Sequence, residues 1–255
     1  MQADLPGLKK QPWLGYFIGI EHRKKMRFGV TAKGQGVIDP LDNDGKPVFS
    51  KVPFQVNFTV IETLPDGKTV RKQLNSDSLV SEQPATEDPD EPIIFRGKAT
   101  GDAAFEVTVY PERGGVALSG KLIDKGTLAN PVHFEISLDV KPYPQRPGDG
   151  QSEIKAFEAR AKKDVLRYDT VSRKRGKIEF LEETNPATTI GEAMTRLDFK
   201  TDAFDNHEFE IQTTDKAKLT LADEGSKPLW NGFTLVWRID EGADAATQKI
   251  TITAR

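Results

Sequence analysis

Short rows of alternating hydrophobic and polar residues run through most of the chain, and they constrain its fold more than any other feature. In residues 54–60, Phe and Val occupy every second position, which is the pattern of a strand with one buried face. Similar rows occur at residues 26–32, 105–109, 132–140 and 233–239, and turns containing Gly, Asn or Asp separate them. Rows at this spacing predict an all-β protein built from antiparallel sandwiches.

A segment rich in proline and glycine, residues 141–150, divides these rows into two groups. It holds three prolines and two glycines in ten residues, a composition that continues neither a strand ladder nor a helix. We therefore predict two tandem antiparallel β-sandwich domains, prealbumin-like or immunoglobulin-like, at residues 13–140 and 151–255. Residues 1–12 are predicted to form a flexible arm. Residues 152–163 are predicted to form one short helix after the linker, because Glu, Ala, Lys and Arg favour helix there.

The composition excludes several classes of function. The chain has 255 residues, a formal net charge of −3 and no cysteine. Without a basic excess, a nucleic-acid partner is not expected, and without cysteine both disulfides and thiolate chemistry are excluded. The longest apolar run, residues 14–20, covers only seven residues. No transmembrane segment is expected, because a helix needs about twenty residues to cross a bilayer.

The N-terminus is predicted to be that of an exported protein from which a signal peptide is missing. Residues 1–6 lack the charged start and the apolar core of a signal peptide. We expect an outer-membrane-associated or extracellular protein. A cytoplasmic protein would show the same features, so that alternative stays open.

No constellation of residues predicts catalysis. The Gly-x-Ser-x-Gly elbow of the α/β-hydrolases is absent, and the three histidines form no closely spaced pair. One of them, His133, is expected at the surface, opposite the inward row of its strand. No catalytic residue and no cofactor are predicted, although a facing pair among the 39 acidic residues would permit glycoside hydrolysis.

An acidic loop is the best candidate for a metal site. Asp39, Asp42 and Asp44 bring carboxylates together before Gly45, and Ca²⁺ prefers such oxygen ligands. The spacing departs from Asp-x-Asp-x-Asp-Gly because Pro40 interrupts it. A simple Asp-Gly turn is favoured and no metal ligand is predicted, but calcium binding by these aspartates stays open.

The candidate ligand or interface residues are aromatic residues and one arginine: Trp230, Arg238, Trp13 and Tyr16. Residues 230–239 are predicted to form one strand, and its period of two places Trp230 and Arg238 on the same face. An exposed indole near a guanidinium can stack on a sugar ring or anchor a protein interface. Trp13 and Tyr16 would play a matching part in the first half. The alternative is that Trp230 covers a hydrophobic seam between the domains.

The two halves also share local sequence. Phe105-Glu106-Val107 is echoed by Phe209-Glu210-Ile211, and whether the halves are true duplicates stays open. The layout of two strand-rich halves resembles bacterial outer-surface proteins built from two prealbumin-like β-sandwiches, which are associated with type IV pilus clusters. The resemblance implies a soluble surface or pilus-associated protein. A filament subunit is not implied, because the long apolar N-terminal helix of a pilin is absent.

These features together predict a non-enzymatic, exported bacterial protein of the cell surface or outer membrane. It is expected to act through protein contacts, within a pilus system if the resemblance holds. Two alternatives stay open: a carbohydrate-binding protein that uses Trp230 or Trp13, and a glycan-processing enzyme. The expected partner is accordingly a surface protein or a glycan, and the oligomeric state is not predicted.

Overall fold

A computed structural model describes most of the chain. The described residues are 13–19, 26–31, 33–42, 44, 46, 48, 54–82, 92–112, 114–140, 150, 155–156, 159, 161–200, 208–214, 218–240, 242 and 247–254. For residues 13–19, 26–27 and 81–82 the backbone alone is described. No helix among the described residues is long and apolar enough to cross a membrane.

The elements whose bounds the structure describes are seventeen β-strands, one short α-helix and two 3₁₀ turns. The strands are β1 (Trp13–Gly19), β2 (Met26–Thr31), β3 (Gln35–Pro40), β4 (Phe54–Thr63), β5 (Thr69–Lys72), β6 (Leu74–Glu82), β7 (Ile93–Ala99), β8 (Ala103–Glu112), β9 (Gly115–Asp124), β10 (Val132–Val140), β11 (Val165–Thr170), β12 (Arg175–Glu179), β13 (Met194–Lys200), β14 (Glu208–Thr213), β15 (Lys218–Leu221), β16 (Phe233–Asp240) and β17 (Ile250–Ala254). The helix α1 is Pro186–Ile190, and the 3₁₀ turns are Ala161–Lys163 and Leu229–Asn231. The prediction of an all-β, antiparallel protein is confirmed.

The strands of the two halves pair with one another in one curled sheet. Strand β10 lies between β4 of the first half and β16 of the second, and both pairings are antiparallel. A second junction joins β9 to β17. The prediction of two tandem sandwiches needs correction here, because the edge of β10 that would close the first sandwich is occupied by β16. Pairing removes an exposed strand edge from each half.

The limits of the predicted domains stay a prediction. Residues 141–149 of the predicted linker lie outside the described residues, as does the predicted arm at residues 1–12. Within the predicted helical segment, Lys155, Ala156 and Ala159 are helical, and the 3₁₀ turn Ala161–Lys163 follows.

The hydrophobic core is also shared between the halves. Phe54 of β4 packs edge-on against Phe209 of β14, with ring centroids 4.7 Å apart, and it lies 6.4 Å from Phe199 of β13. Phe105 of β8 stacks on Phe134 of β10 at 5.1 Å. All of these rings belong to a single cluster of buried residues. The alternating rows therefore fill one core instead of two.

The repeated Phe-Glu-Val/Ile segments occupy equivalent local settings. Glu106 of β8 binds Arg96 of the neighbouring β7, with Oε2 2.7 Å from the arginine Nε. Glu210 of β14 likewise binds Arg196 of the neighbouring β13, at 2.7 Å. Both glutamates are buried. A buried carboxylate keeps its charge only if a cation or hydrogen bonds accompany it, so each glutamate is held by an arginine on the adjacent strand.

The ion pairs of Glu106 lead to a prediction about acid stability. Burial raises the pKa of Glu106, but hydrogen bonds from Lys121 and Arg96 outweigh that effect, and the net pKa is lowered. A carboxyl whose folded pKa is lowered stabilises the fold above its unfolded pKa, and that stability is lost as the pH falls through the folded pKa. Because both cations are about 40% exposed, we expect Glu106→Gln to lower the free energy of unfolding at pH 7 by about 1–2 kcal/mol.

Urea unfolding between pH 7 and pH 3 measures this effect. The difference between the wild type and Glu106→Gln should shrink as the pH falls, because the wild type then loses the same charge. Glu112→Gln, at the exposed end of the same strand, is the matched control and should unfold like the wild type. An unchanged difference at pH 3 would show that Glu106 acts through packing and not through its charge.

Candidate functional site

A gap in the sheet beside the long strand β4 forms a cleft. On one side of β4, β3 pairs with residues Phe54 to Asn57, and β5 pairs with residues Val60 to Thr63. Phe58 and Thr59 therefore have no strand neighbour on that side in the described part of the chain. Alternate residues of a strand direct their N–H and C=O groups to opposite sides, so one of these two residues presents both groups to the gap.

The walls of the cleft come from the elements that end at the gap. On one side lies the turn before β3, where Gly34 has φ +77°. A Cβ at Gly34 would lie 2.2 Å from the Cδ2 atom of Leu74, so a larger residue here would displace the Leu74 side chain and would also be strained by the positive φ. Arg71 and Lys72 at the end of β5 form the opposite wall. The cleft is open to solvent and has a volume of about 460 Å³, within the range of about 300–1,000 Å³ that is usual for small-molecule sites.

The lining is mainly polar. Gln35, Asn57, Thr59 and Arg71 contribute amide, hydroxyl and guanidinium groups, and Leu74 contributes an apolar patch. The Asn57 side chain is held in place, because its Nδ2 donates to Oδ2 of Asp139 on β10 at 3.0 Å. The side chains of Gln35, Thr59 and Arg71 make no hydrogen bond or ion pair within the part of the chain that the structure describes. They are available to a ligand.

Lys72 differs from the other cations of the cleft because its charge is already balanced. Its Nζ forms an ion pair with Glu62, and both side chains are nearly buried. Glu62 also accepts hydrogen bonds from the side chain and the backbone of Asn130, at 2.9 and 3.2 Å. Lys72 and then Asn130 lower the pKa of Glu62, against a smaller opposing effect of burial. Glu62 therefore stays a carboxylate at neutral pH and balances the charge of Lys72.

Beyond Asn57 the polar face continues onto the central strand β10. Its outward side chains include His133, Glu135, Ser137 and Asp139, and His133 Nε2 lies 3.0 Å from Glu135 Oε1. The expectation that His133 is a surface residue is wrong, since it is only 4% exposed. The reason is that β10 has strands on both sides, so neighbouring outward side chains cover a residue that faces away from the core.

The structure does not bring together the predicted site residues Trp230 and Arg238. Trp230 lies in the 3₁₀ turn Leu229–Asn231, before β16 begins at Phe233, and it packs half-buried against the core. Arg238 is exposed, and its Nε lies 2.9 Å from Oδ1 of Asp240. It lies five residues beyond the start of β16, or about 17 Å along the strand. Neither residue lines the cleft.

The other predicted residues fall in two places. Trp13 and Tyr16 lie on β1, which pairs with β2, but their side chains are outside the described part of the structure. In the acidic loop, Asp42 Oδ1 accepts the backbone N–H groups of Asp44 and Lys46, each at 2.9 Å, while Asp39 is buried. Among the described residues, no three His, Cys, Asp or Glu side chains are grouped to hold a metal ion.

A second polar cleft, of about 430 Å³, lies on the other side of Leu74. Some of its polar groups have partners within the chain. The hydroxyl of Thr100 donates to the carbonyl of Gln73 at 3.3 Å, and the backbone N–H of Asp77 donates to Oδ1 of Asn75. Asp102 forms an ion pair with Lys98. Because the charged residue among its described lining, Asp102, and part of its hydrogen-bonding groups already have partners, this cleft is the weaker candidate for a binding site.

Sequence reasoning missed the cleft because none of its residues belongs to a motif. The available signal was a mismatch of length. Strand β4 has ten residues, whereas β3 has six and β5 has four. A long strand beside two short ones leaves part of its edge unpaired, but the sequence alone does not show which strands become neighbours.

Comparisons with known proteins inform the fold alone. No protein-family model matches the sequence, and no curated protein matches it. Among solved structures, the chain is similar to the alpha-N-acetylgalactosaminidase NagBb from Bifidobacterium bifidum, which was solved with GalNAc. The TM-score is 0.54 at 11% identity, and the match covers 92% of this chain and 35% of that enzyme. The chain thus spans about a third of the length of NagBb.

A second similar structure has the size of this chain. It is the Slr1438 protein from Synechocystis, with a TM-score of 0.52, 8% identity, and 99% of both chains covered. At these identities the likeness extends to the arrangement of strands and not to residues. The whole chain, including both halves around β10, therefore follows an architecture that occurs in other proteins.

Proposed function

We propose that this protein binds a saccharide, without transforming it, in the cleft beside β4. The observation that carries the proposal is the unpaired edge at Phe58 and Thr59, flanked by Gln35, Asn57 and Arg71. The proposal adopts the carbohydrate-binding alternative and moves the site from Trp230 and Trp13 to this cleft.

The chemistry of the cleft suits sugar hydroxyls. A hydroxyl both donates and accepts hydrogen bonds, so it is matched by groups that offer both, such as the Gln35 amide, the Thr59 hydroxyl and a free strand edge. The bond to Asp139 fixes the Asn57 amide before a ligand arrives. Such preorganisation reduces the entropy that is lost on binding. Leu74 offers an apolar surface to the C–H face of a sugar ring.

The structural similarity is a second observation in favour of this ligand class. NagBb was solved in complex with GalNAc, an amino sugar, and the arrangement of strands resembles part of that protein. The likeness transfers no residue and no activity at 11% identity. It makes a saccharide a reasonable first class of ligand to test on this fold.

Hydrolysis of a glycan is less well supported than binding. Glu135 and Asp240 lie diagonally across the β10–β16 pair, a relation that places residues about 7–8 Å apart. Residues so placed can bring two carboxylates to one face of the sheet, but glycoside hydrolysis also needs one of them to act as an acid with a raised pKa. The pKa of Asp240 is lowered, chiefly by a hydrogen bond from Lys218; burial opposes this effect and Arg238 adds to it. Asp240 therefore stays ionised and does not supply a proton.

The location and the biological context remain predictions from the sequence. Export to the cell surface or outer membrane, protein contacts there, and a place in a pilus system are compatible with a saccharide-binding role. The division into domains at residues 13–140 and 151–255 also remains a prediction. Limited proteolysis tests it, because two independent domains would separate after cleavage within residues 141–150.

Calorimetric titration with a panel of neutral and acidic oligosaccharides tests the proposed function. The double variant Gln35→Ala/Thr59→Val removes two lining groups and leaves the bond between Asn57 and Asp139 intact. Each lost hydrogen bond is expected to weaken binding, so the dissociation constant of the best ligand should rise about tenfold or more.

Two further variants serve as controls for this experiment. Thr108→Val lies on β8, away from the cleft, and should bind like the wild type. Trp230→Ala should also retain binding, because Trp230 does not line the cleft. The proposal fails if no saccharide of the panel binds, or if the double variant binds as well as the wild type. Loss of binding in Trp230→Ala alone would instead support the site predicted from the sequence.

A further inference from the structure

The charges of the cleft are all of one sign. Its lining includes three cationic residues, Lys33, Arg71 and Lys72, and no aspartate or glutamate among the described residues. The whole chain has a formal net charge of −3. The positive charge of the cleft is therefore a local feature, and it does not follow from the composition of the chain.

Two of these three charges have no counter-ion among the residues that the structure describes. Lys72 is balanced by Glu62. On the neighbouring strand β10, Asp139 accepts a hydrogen bond from the amide of Asn57, and Glu135, which lies opposite Thr59, has its Oε1 3.0 Å from Nε2 of His133. Lys33 and Arg71 are exposed and form no ion pair with the residues that the structure describes. Because the balanced pair contributes little net charge, the cleft presents about two unbalanced positive charges to its ligand.

The two free cations stand on opposite sides of the gap. Lys33 belongs to the turn before β3, and Arg71 lies on β5, with Thr59 of β4 between them. A guanidinium binds the two oxygens of a carboxylate or sulfate through two parallel hydrogen bonds. An ammonium on a flexible stem can approach a second anionic group, or the same one from the other side.

From this arrangement we infer that the ligand is an acidic saccharide that carries a carboxylate or sulfate group. The anionic group binds Arg71 and Lys33, and the neutral hydroxyls of the ring bind Gln35, Asn57 and Thr59. The inference rests on the proposed saccharide site and specifies the class of its ligand. A neutral saccharide would leave both cations without a partner and would not use the electrostatic attraction of the cleft.

A matched pair of ligands tests the role of charge. Trigalacturonate and its fully methyl-esterified form share one carbohydrate skeleton and differ in charge. Calorimetry at low ionic strength should show the acid binding about tenfold more tightly than the ester. The preference should decrease as salt is raised, because exposed charges are screened at about 0.15 M ionic strength. A sulfated trisaccharide in a parallel titration distinguishes sulfate from carboxylate as the preferred group.

The variants Arg71→Gln and Lys33→Gln each remove one charge without removing a buried side chain. Each should weaken binding of the acid several-fold and leave binding of the ester within about twofold. Arg167→Gln makes the same change of charge on β11, far along the chain, and should alter neither affinity.

The outcomes separate this inference from the proposed function. If the acid and the ester bind equally, and both weaken in Gln35→Ala/Thr59→Val, the saccharide site stands and the inference about charge is wrong. If trigalacturonate, its ester and the sulfated trisaccharide all fail to bind, the inference about an acidic ligand is overturned. Binding of a neutral saccharide from the panel would in that case still support the proposed function. Tighter binding of an acidic trisaccharide, lost in Arg71→Gln, supports both.

Discussion

Replacing Trp237 with alanine is expected to lower the free energy of unfolding by about 3–5 kcal/mol, the range found for large aromatic side chains removed from a core. Trp237 is fully buried on β16. Its register partners are Ile136 on β10 and Leu219 on β15, so the cavity would lie where the two halves meet. Both halves should therefore lose stability in the same cooperative transition, measured by urea unfolding with far-ultraviolet circular dichroism.

Trp237→Phe is an informative intermediate for this experiment. The indole Nε1–H of Trp237 is buried and has no hydrogen-bond partner in the part of the chain that the structure describes. Phenylalanine removes this unsatisfied donor and keeps most of the packing, so its cost should be clearly smaller than that of alanine. Thr234→Ala, on the outward side of the same strand, is the control for an effect on β16 in general. Two separate unfolding transitions in Trp237→Ala would show that the halves are independent.

Replacing Gly115 with alanine is expected to weaken the pairing of β9 with β17, which is the second junction between the halves. A Cβ at this position would lie 2.0 Å from the carbonyl oxygen of Ile252 and 2.8 Å from the Cα atom of Thr253. Both contacts are with backbone atoms, which cannot rotate away as a side chain can. Gly115→Ala should therefore displace β17 from β9 and cost about 3 kcal/mol, at the upper end of overpacking effects.

Hydrogen exchange locates this effect, and a second glycine serves as its control. The backbone amides of β17 should exchange faster in Gly115→Ala than in the wild type. Gly67 has φ +80° in an exposed turn, and a Cβ there would contact nothing within 4 Å, so Gly67→Ala should cost about 1–2 kcal/mol through backbone strain alone. If Gly115→Ala costs no more than Gly67→Ala, β9 and β17 are not packed as closely as the structure shows.

Much of the fold could be predicted from local pattern. The rows at residues 54–60, 132–140 and 233–239 became β4, β10 and β16 with the expected buried faces. This works because successive side chains of a strand point to opposite faces, so that each row records which face is buried. Trp237 shares the inward parity of Phe233 and Leu235 in its row, and it lies in the core.

Other predictions needed information that no local pattern contains. The period of two in a strand predicts that Trp230 lies on the same face as Arg238. However, Gly232, with φ +90°, separates the 3₁₀ turn of Trp230 from β16, and the period of two holds only within a continuous strand. His133 was assigned to the surface because it faces away from the core. It is buried because β10 has neighbours on both sides, and the number of neighbours depends on pairing between distant segments.

The sequence by itself determined the strand content, the buried face of each main row, and the absence of cysteine chemistry. Only the tertiary structure decided that β10 pairs with both halves and that β4 is left uncovered at Phe58 and Thr59. The physical reason is that the alternation of hydrophobic and polar residues is a property of residues adjacent in the sequence. Which strands pair depends instead on how segments far apart in the chain fit together at their edges and in the core. The cleft is a consequence of that choice, and so are the positions of Arg71 and Lys33 on its two sides.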